Sequence, residues 1–136
     1  MSTPTPALSG RAVVLDDTAL LALGAGNQWL SRLIVAAAAR TDAYIYAPAL
    51  CLTAAVADRP RIGDHIGALA AIAVLDLTYT SASITGSVIA TGTSWRQAHA
   101  VTTARPSIDW PTGLAIVTTA PDAYAGHDDL ALIELR

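Results

Sequence analysis

The sequence predicts an α/β fold, a parallel sheet of five short strands covered by helices on both faces. Two observations point there. Five runs, Arg11 to Leu15, Ala43 to Tyr46, Ala73 to Leu77, Leu114 to Thr118 and Leu130 to Leu135, are short and almost wholly apolar. Segments of helical spacing separate most of them, and strands buried on both faces read as continuous apolar runs. No internal repeat or change of composition divides the 136 residues, so a single domain over residues 11–136 is expected behind a flexible arm of residues 1–10.

Taken in order, Arg11 to Leu15 ends in Asp16-Asp17, and either carboxylate is suited to cap a helix over Thr18 to Leu23. Gly24-Ala25-Gly26 breaks that helix. Asn27 caps the next, which runs to about Arg40 with Trp29, Leu33, Ala36 and Ala37 on one face. After Ala43 to Tyr46, Pro48 is placed at the first position of a helix reaching Asp58, where Pro60 stops it. Ile62 to Ala71 reads as helix and Ala73 to Leu77 as strand. Two further helices, Ser81 to Ala90 and Trp95 to Ala104, are split by Thr91-Gly92-Thr93, and Arg105 to Thr112 is a loop before the last two strands.

Composition excludes several functions. All eight cationic residues are Arg, there is no Lys, and the formal charge is -3, so the basic footprint of a dedicated nucleic-acid binder is missing. A bound divalent cation would change the local sign, which leaves an RNA-cutting enzyme open. The lone Cys51 sits in an apolar run and is expected in the core. His65, His99 and His127 lack zinc-ligand spacing. His99 is expected to hydrogen-bond beside a cleft, and His127, next to Asp128 and Asp129, to be solvated. Gly24-Ala25-Gly26 lacks the Lys of a phosphate-binding loop, and the Ser/Thr-rich stretch after Leu77 lacks a nucleophile elbow. Asp76, near the end of the third strand, could play the part of a receiver-domain phosphoacceptor, but that site also needs a Lys. Residues 1–10 lack the plan of a signal peptide, and Ile66 to Leu75 is half of the roughly 20 residues of a membrane span. A cytoplasmic protein without membrane contact is expected.

In parallel sheets, ligands gather at the carboxyl ends of strands where the strand order reverses. Val14-Leu15-Asp16-Asp17-Thr18 with its apolar helix, Ala47 to Ala54, Trp95 to Val101, and Ile116 to Asp122 occupy such places. In that order they resemble a PIN domain, the family of the VapC-like toxin ribonucleases. The resemblance spans nearly the whole chain and implies a three-layer sandwich with strand order 3-2-1-4-5. It makes Asp16 the first metal-binding acid and lines the cleft with Thr18, Thr118 and Thr119. The family's other acids fall on Ala54, within Ser94 to Arg96, and on Ala120, none of them a carboxylate.

Hard divalent cations need several oxygen ligands, and the metal activates water and stabilises the in-line displacement at phosphorus. Two function classes stay open. In one, Asp16 is a remnant kept as a helix cap and no cofactor is expected. The protein then acts by binding, as a homodimer or with a small antitoxin-like partner, with Trp95 and Trp110 as candidate partner surface. In the other, Asp16, Asp17, Asp58 and Asp122 form a rebuilt Mg²⁺ or Mn²⁺ site and the chain cuts RNA.

Overall fold

β1, Ala12–Leu15, is buried along its whole length, which the uninterrupted Ala-Val-Val-Leu run requires. It is the central strand of a parallel five-stranded sheet with β2 (Tyr44–Pro48), β3 (Ile72–Leu75), β4 (Ala115–Thr118) and β5 (Ala131–Glu134). A computed structural model describes residues 12–135. The arm expected over residues 1–10 and the first strand residue, Arg11, lie outside them. The sheet order is β3-β2-β1-β4-β5, as the resemblance implies. Val13 pairs with Ile45 on one side and with Ala115 on the other.

Six helices connect the strands: α1 (Asp17–Gly24), α2 (Gln28–Ala38), α3 (Ala49–Asp58), α4 (Ile62–Gly67), α5 (Tyr79–Ala90) and α6 (Trp95–Ala104). α1 to α4 pack against one another, α6 lies on β1, β2 and β4, and α5 packs chiefly on α6. The largest fully buried side chains include Leu15, Leu20, Leu30, Leu33, Ile45, Ile66 and Ile116, contributed by strands and helices alike. No helix of the described residues is long and apolar enough to cross a membrane.

Caps set most helix boundaries. Asp16, not Asp17, caps α1, accepting from the Ala19 amide at 2.9 Å. Asn27 caps α2 through the Leu30 amide at 3.0 Å, and Leu30, Leu33 and Ala37 form its buried face, with Trp29 half-buried beside them. Pro48 is not the first helical residue: it closes β2 and stands at the N-cap of α3. α5 begins two residues earlier than expected, because Thr78 and Ser81 exchange hydrogen bonds in a capping box. That start takes Asp76 and Leu77 out of β3. α4 ends at Gly67 rather than Ala71, since the apolar stretch to Leu75 must turn in time for Ile72 to pair with Ile45.

The link from α6 to β4 is tight. Gly113 has φ +77°, and a Cβ there would stand 2.6 Å from the Ala104 carbonyl oxygen, which accepts from the Leu114 amide at 2.9 Å. Both the left-handed backbone and the close approach need glycine. Gly113→Ala is therefore expected to cost about 2 kcal/mol or more, seen as a lower midpoint in denaturant unfolding. A midpoint matching the parent would show that the loop relaxes freely.

Candidate functional site

Strand order reverses between β1 and β4, which opens a crevice at their carboxyl ends. β1 delivers Asp16, Asp17 and Thr18 there, and β4 delivers Thr118, Thr119 and Ala120. The Asp16 carboxylate is fully buried and both oxygens are taken. Oδ1 accepts from Thr18 Oγ1 at 2.7 Å and from the Ala19 amide at 2.9 Å, and Oδ2 accepts from the Tyr124 hydroxyl at 2.7 Å.

Donor bookkeeping orders the rest. The Thr18 proton is committed to Asp16, so in the 3.2 Å contact between Thr18 and Thr118 the donor is Thr118. Thr18 Oγ1 also accepts from the Thr119 amide, and Thr118 Oγ1 from the Ala120 amide, each at 2.9 Å. The three threonines expected in the cleft thus do meet there, as the fastening between β1 and β4. Burial, with Asp16 alongside, pushes the Tyr124 phenol well above its ordinary range, so it stays a donor.

Asp17 is 3% exposed and meets different groups. Gln97 Nε2 donates to its Oδ1 at 3.2 Å, and Arg96 Nη1 lies 3.7 Å from its Oδ2. Arg96 also grips Asp58, the last residue of α3, with Nη1 at 2.9 Å and Nη2 at 3.1 Å. One guanidinium therefore spans two of the four carboxylates expected in a rebuilt metal site. Burial and neighbouring Asp16 raise the Asp17 pKa above the ordinary 3.8, with Gln97, the Thr18 amide and Arg96 opposing.

Asp122 stands apart. It is the second residue of the 3-10 turn Pro121–Tyr124 and lines a separate cavity of about 380 Å³ with Thr91, Thr93 and His127. That turn brings Tyr124, not Asp122, to Asp16. His127 is half-buried and bonded to Thr93 Oγ1 at 2.7 Å, rather than solvated, because the turn folds its loop back onto the α5–α6 link. Cys51 is in the core as expected: its Sγ donates to the Arg96 carbonyl, and burial raises its thiol pKa, which keeps it unreactive.

The cleft carboxylates are already engaged. Each Asp16 oxygen accepts at least one hydrogen bond, and Asp17 and Asp58 face a fixed cation, Arg96. Among the described residues no group of three or more His, Cys, Asp or Glu is placed to hold a metal.

Trp95 and Trp110 make separate contacts. Trp95 opens α6 beside the cleft, 40% exposed, with the Arg96 guanidinium 5.3 Å over its ring. Trp110 packs edge-on against Tyr44 and Tyr46 at the other end of the sheet. Sequence reasoning missed Tyr124, Arg96 and Gln97. Arg96 and Gln97 lie in the segment Trp95 to Val101 that carries the resemblance, where an Arg close to strand-end acids is the one signal that could have found them.

The chain matches no protein-family model and no curated protein. Among solved structures, one chain of VapBC2 from Rickettsia felis, crystallised bound to a DNA fragment from their promoter, aligns with 90% of this chain. The match covers 98% of that chain, with a TM-score of 0.59 and 11% sequence identity. The two share the PIN-like α/β fold.

Two outcomes follow for the cleft. Tyr124→Phe strips a buried carboxylate oxygen of its donor and is expected to cost about 2 kcal/mol in thermal or urea unfolding. A neutral result would mean that Asp16 Oδ2 has another donor. The second concerns pH. A raised Asp17 pKa means the folded chain holds this proton more tightly than the unfolded chain. Its contribution to stability is thus fullest below pH 3.8 and is lost as pH rises through the folded value. Asp17→Asn should remove that fall, so its stability relative to the parent improves from acid towards neutral pH. A constant difference across the range would refute the raised pKa.

Proposed function

We propose that this chain is a PIN-like domain that acts by binding protein, as a homodimer or with a small antitoxin-like partner, and that its acidic site no longer cuts RNA. The observation that carries this reading is Arg96. A metal-dependent nuclease gathers carboxylates around a vacancy for a cation. Here the facing acids Asp17 and Asp58 meet a covalently attached guanidinium, bidentate on Asp58. The first acid, Asp16, is spent on Thr18, the α1 cap and Tyr124. Tertiary contacts use these residues to hold the fold together.

The binding half rests on two supports. The similar chain belongs to a VapBC2 assembly, which favours a protein partner. Trp95, exposed at the mouth of the cleft with a guanidinium on its ring, has the character of an interface anchor. The second reading, a Mg²⁺- or Mn²⁺-dependent ribonuclease, is favoured by Asp17 and Asp58 converging on one point, and requires Arg96 to leave it.

One pair of measurements on the full chain separates the readings. With Mn²⁺ or Mg²⁺ at millimolar concentration, no RNA cleavage above the blank is expected, and the unfolding temperature should move by less than about 1 °C. Light scattering should give a mass above that of one chain, returning to a single chain in Trp95→Arg if the assembly is a homodimer. Cleavage that disappears in Asp16→Asn and with chelator would establish the nuclease instead.

A further inference from the structure

On the sheet face that carries α6, the strip over β2 and β3 is only partly covered. Tyr44 and Tyr46 alternate with the fully buried Ile45 and Ala47, and Ala73 pairs with Tyr46. Because α5 packs chiefly on α6, a cavity of about 410 Å³ remains beside Tyr46, between α6, the end of β3 and the loop before β4. Small-ligand sites occupy roughly 300–1,000 Å³.

Three features of this cavity have no role in the cleft. The first is an aromatic wall. Tyr46 and Trp110 meet edge to face at 6.5 Å, and Tyr44 stacks on Tyr46 at 6.0 Å. Trp110 is held by its loop: its amide donates to Ser107 Oγ, and its carbonyl accepts from the Ser107 and Gly113 amides.

The second is His99, 2% exposed and part of the lining. Its Nδ1 accepts from the Leu50 amide at 3.3 Å, so in the neutral ring the proton sits on Nε2. Nε2 makes no hydrogen bond among the described residues. Burial lowers the His99 pKa and keeps the ring neutral.

The third is charge. Asp76 and Asp109 line the cavity, and neither forms an ion pair among the described residues. No arginine lines it.

We propose that this cavity binds a small organic cation, an amine or guanidine carried on a planar or short apolar body. The aromatic wall takes the body and attracts the cation through its ring faces. Asp76 and Asp109 neutralise the charge at the rim. Nε2–H of His99 donates to an acceptor atom or ring face at the inner end. An anion would meet two carboxylates and a single neutral donor, so the site discriminates by charge. None of these residues belongs to the Asp16 cleft, and the proposal stands whichever way the nuclease question falls.

The test is calorimetric titration of the full chain at low salt with tryptamine, agmatine and benzamidine, and with indole-3-acetate as the anionic counterpart of the first. At least one cation should bind one-to-one with Kd below about a millimolar. The Asp76→Asn, Asp109→Asn double variant should weaken it at least about threefold. Trp110→Leu should weaken it too, and amide shifts in two-dimensional NMR should cluster at residues 99–110. Absence of binding by all three cations overturns the proposal. So does a smaller effect of the double variant, equal affinity for indole-3-acetate, or shifts centred on Asp16.

Discussion

A buried carboxylate is tolerable only when its oxygens are satisfied, and around Asp16 that requirement joins parts of the chain distant in sequence. One oxygen serves the start of α1 and the Thr18 hydroxyl. The other serves Tyr124, which is 108 positions away in the chain. Thr18 passes the linkage on to Thr118 and the Thr119 amide, so β1, α1, β4 and the 3-10 turn are held by one connected set of hydrogen bonds. Removing the acid would strand several donors at once. These contacts give Asp16 a structural role in the fold, independent of any metal chemistry.

The same logic explains Arg96. Negative charge left in a crevice must be balanced by metal, proton or basic side chain. Asp17 uses two of these answers, a pKa raised by burial and Asp16, and a guanidinium at 3.7 Å. Asp58, more exposed, takes the bidentate contact. An arginine cannot be diluted away or chelated. The charge of Asp17 and Asp58 is thus met by a covalently attached cation.

Helix coverage is uneven. α1 to α4 form a contiguous group over one part of the sheet, whereas α6 carries the other face with α5 riding on it. The uncharged sequence of α5 offers only Thr85 and Val88 for burial. The open strip over β2 and β3 collects the aromatic residues that the alternation of β2 directs outward, and the tight Gly113 turn sets Trp110 across them.

The sequence by itself determined the class of fold and most of its elements. Apolar runs too continuous for a half-exposed sheet named the five strands, and Asp16 and Asn27 marked helix starts that local hydrogen bonding enforces. α6 matches its expected span residue for residue. Missed boundaries lie where pairing or capping across a turn competes with local preference, as at Pro48, Thr78 and Gly67. The meeting of Asp16, Thr18, Thr118 and Thr119 at the ends of β1 and β4 was legible, because strand ends announce themselves in sequence. Only the tertiary structure decided what Asp16 does, since Tyr124 reaches it through a turn whose direction no periodicity encodes. Only it showed Asp17 and Asp58 sharing Arg96, because charge pairing depends on which helix ends meet in space.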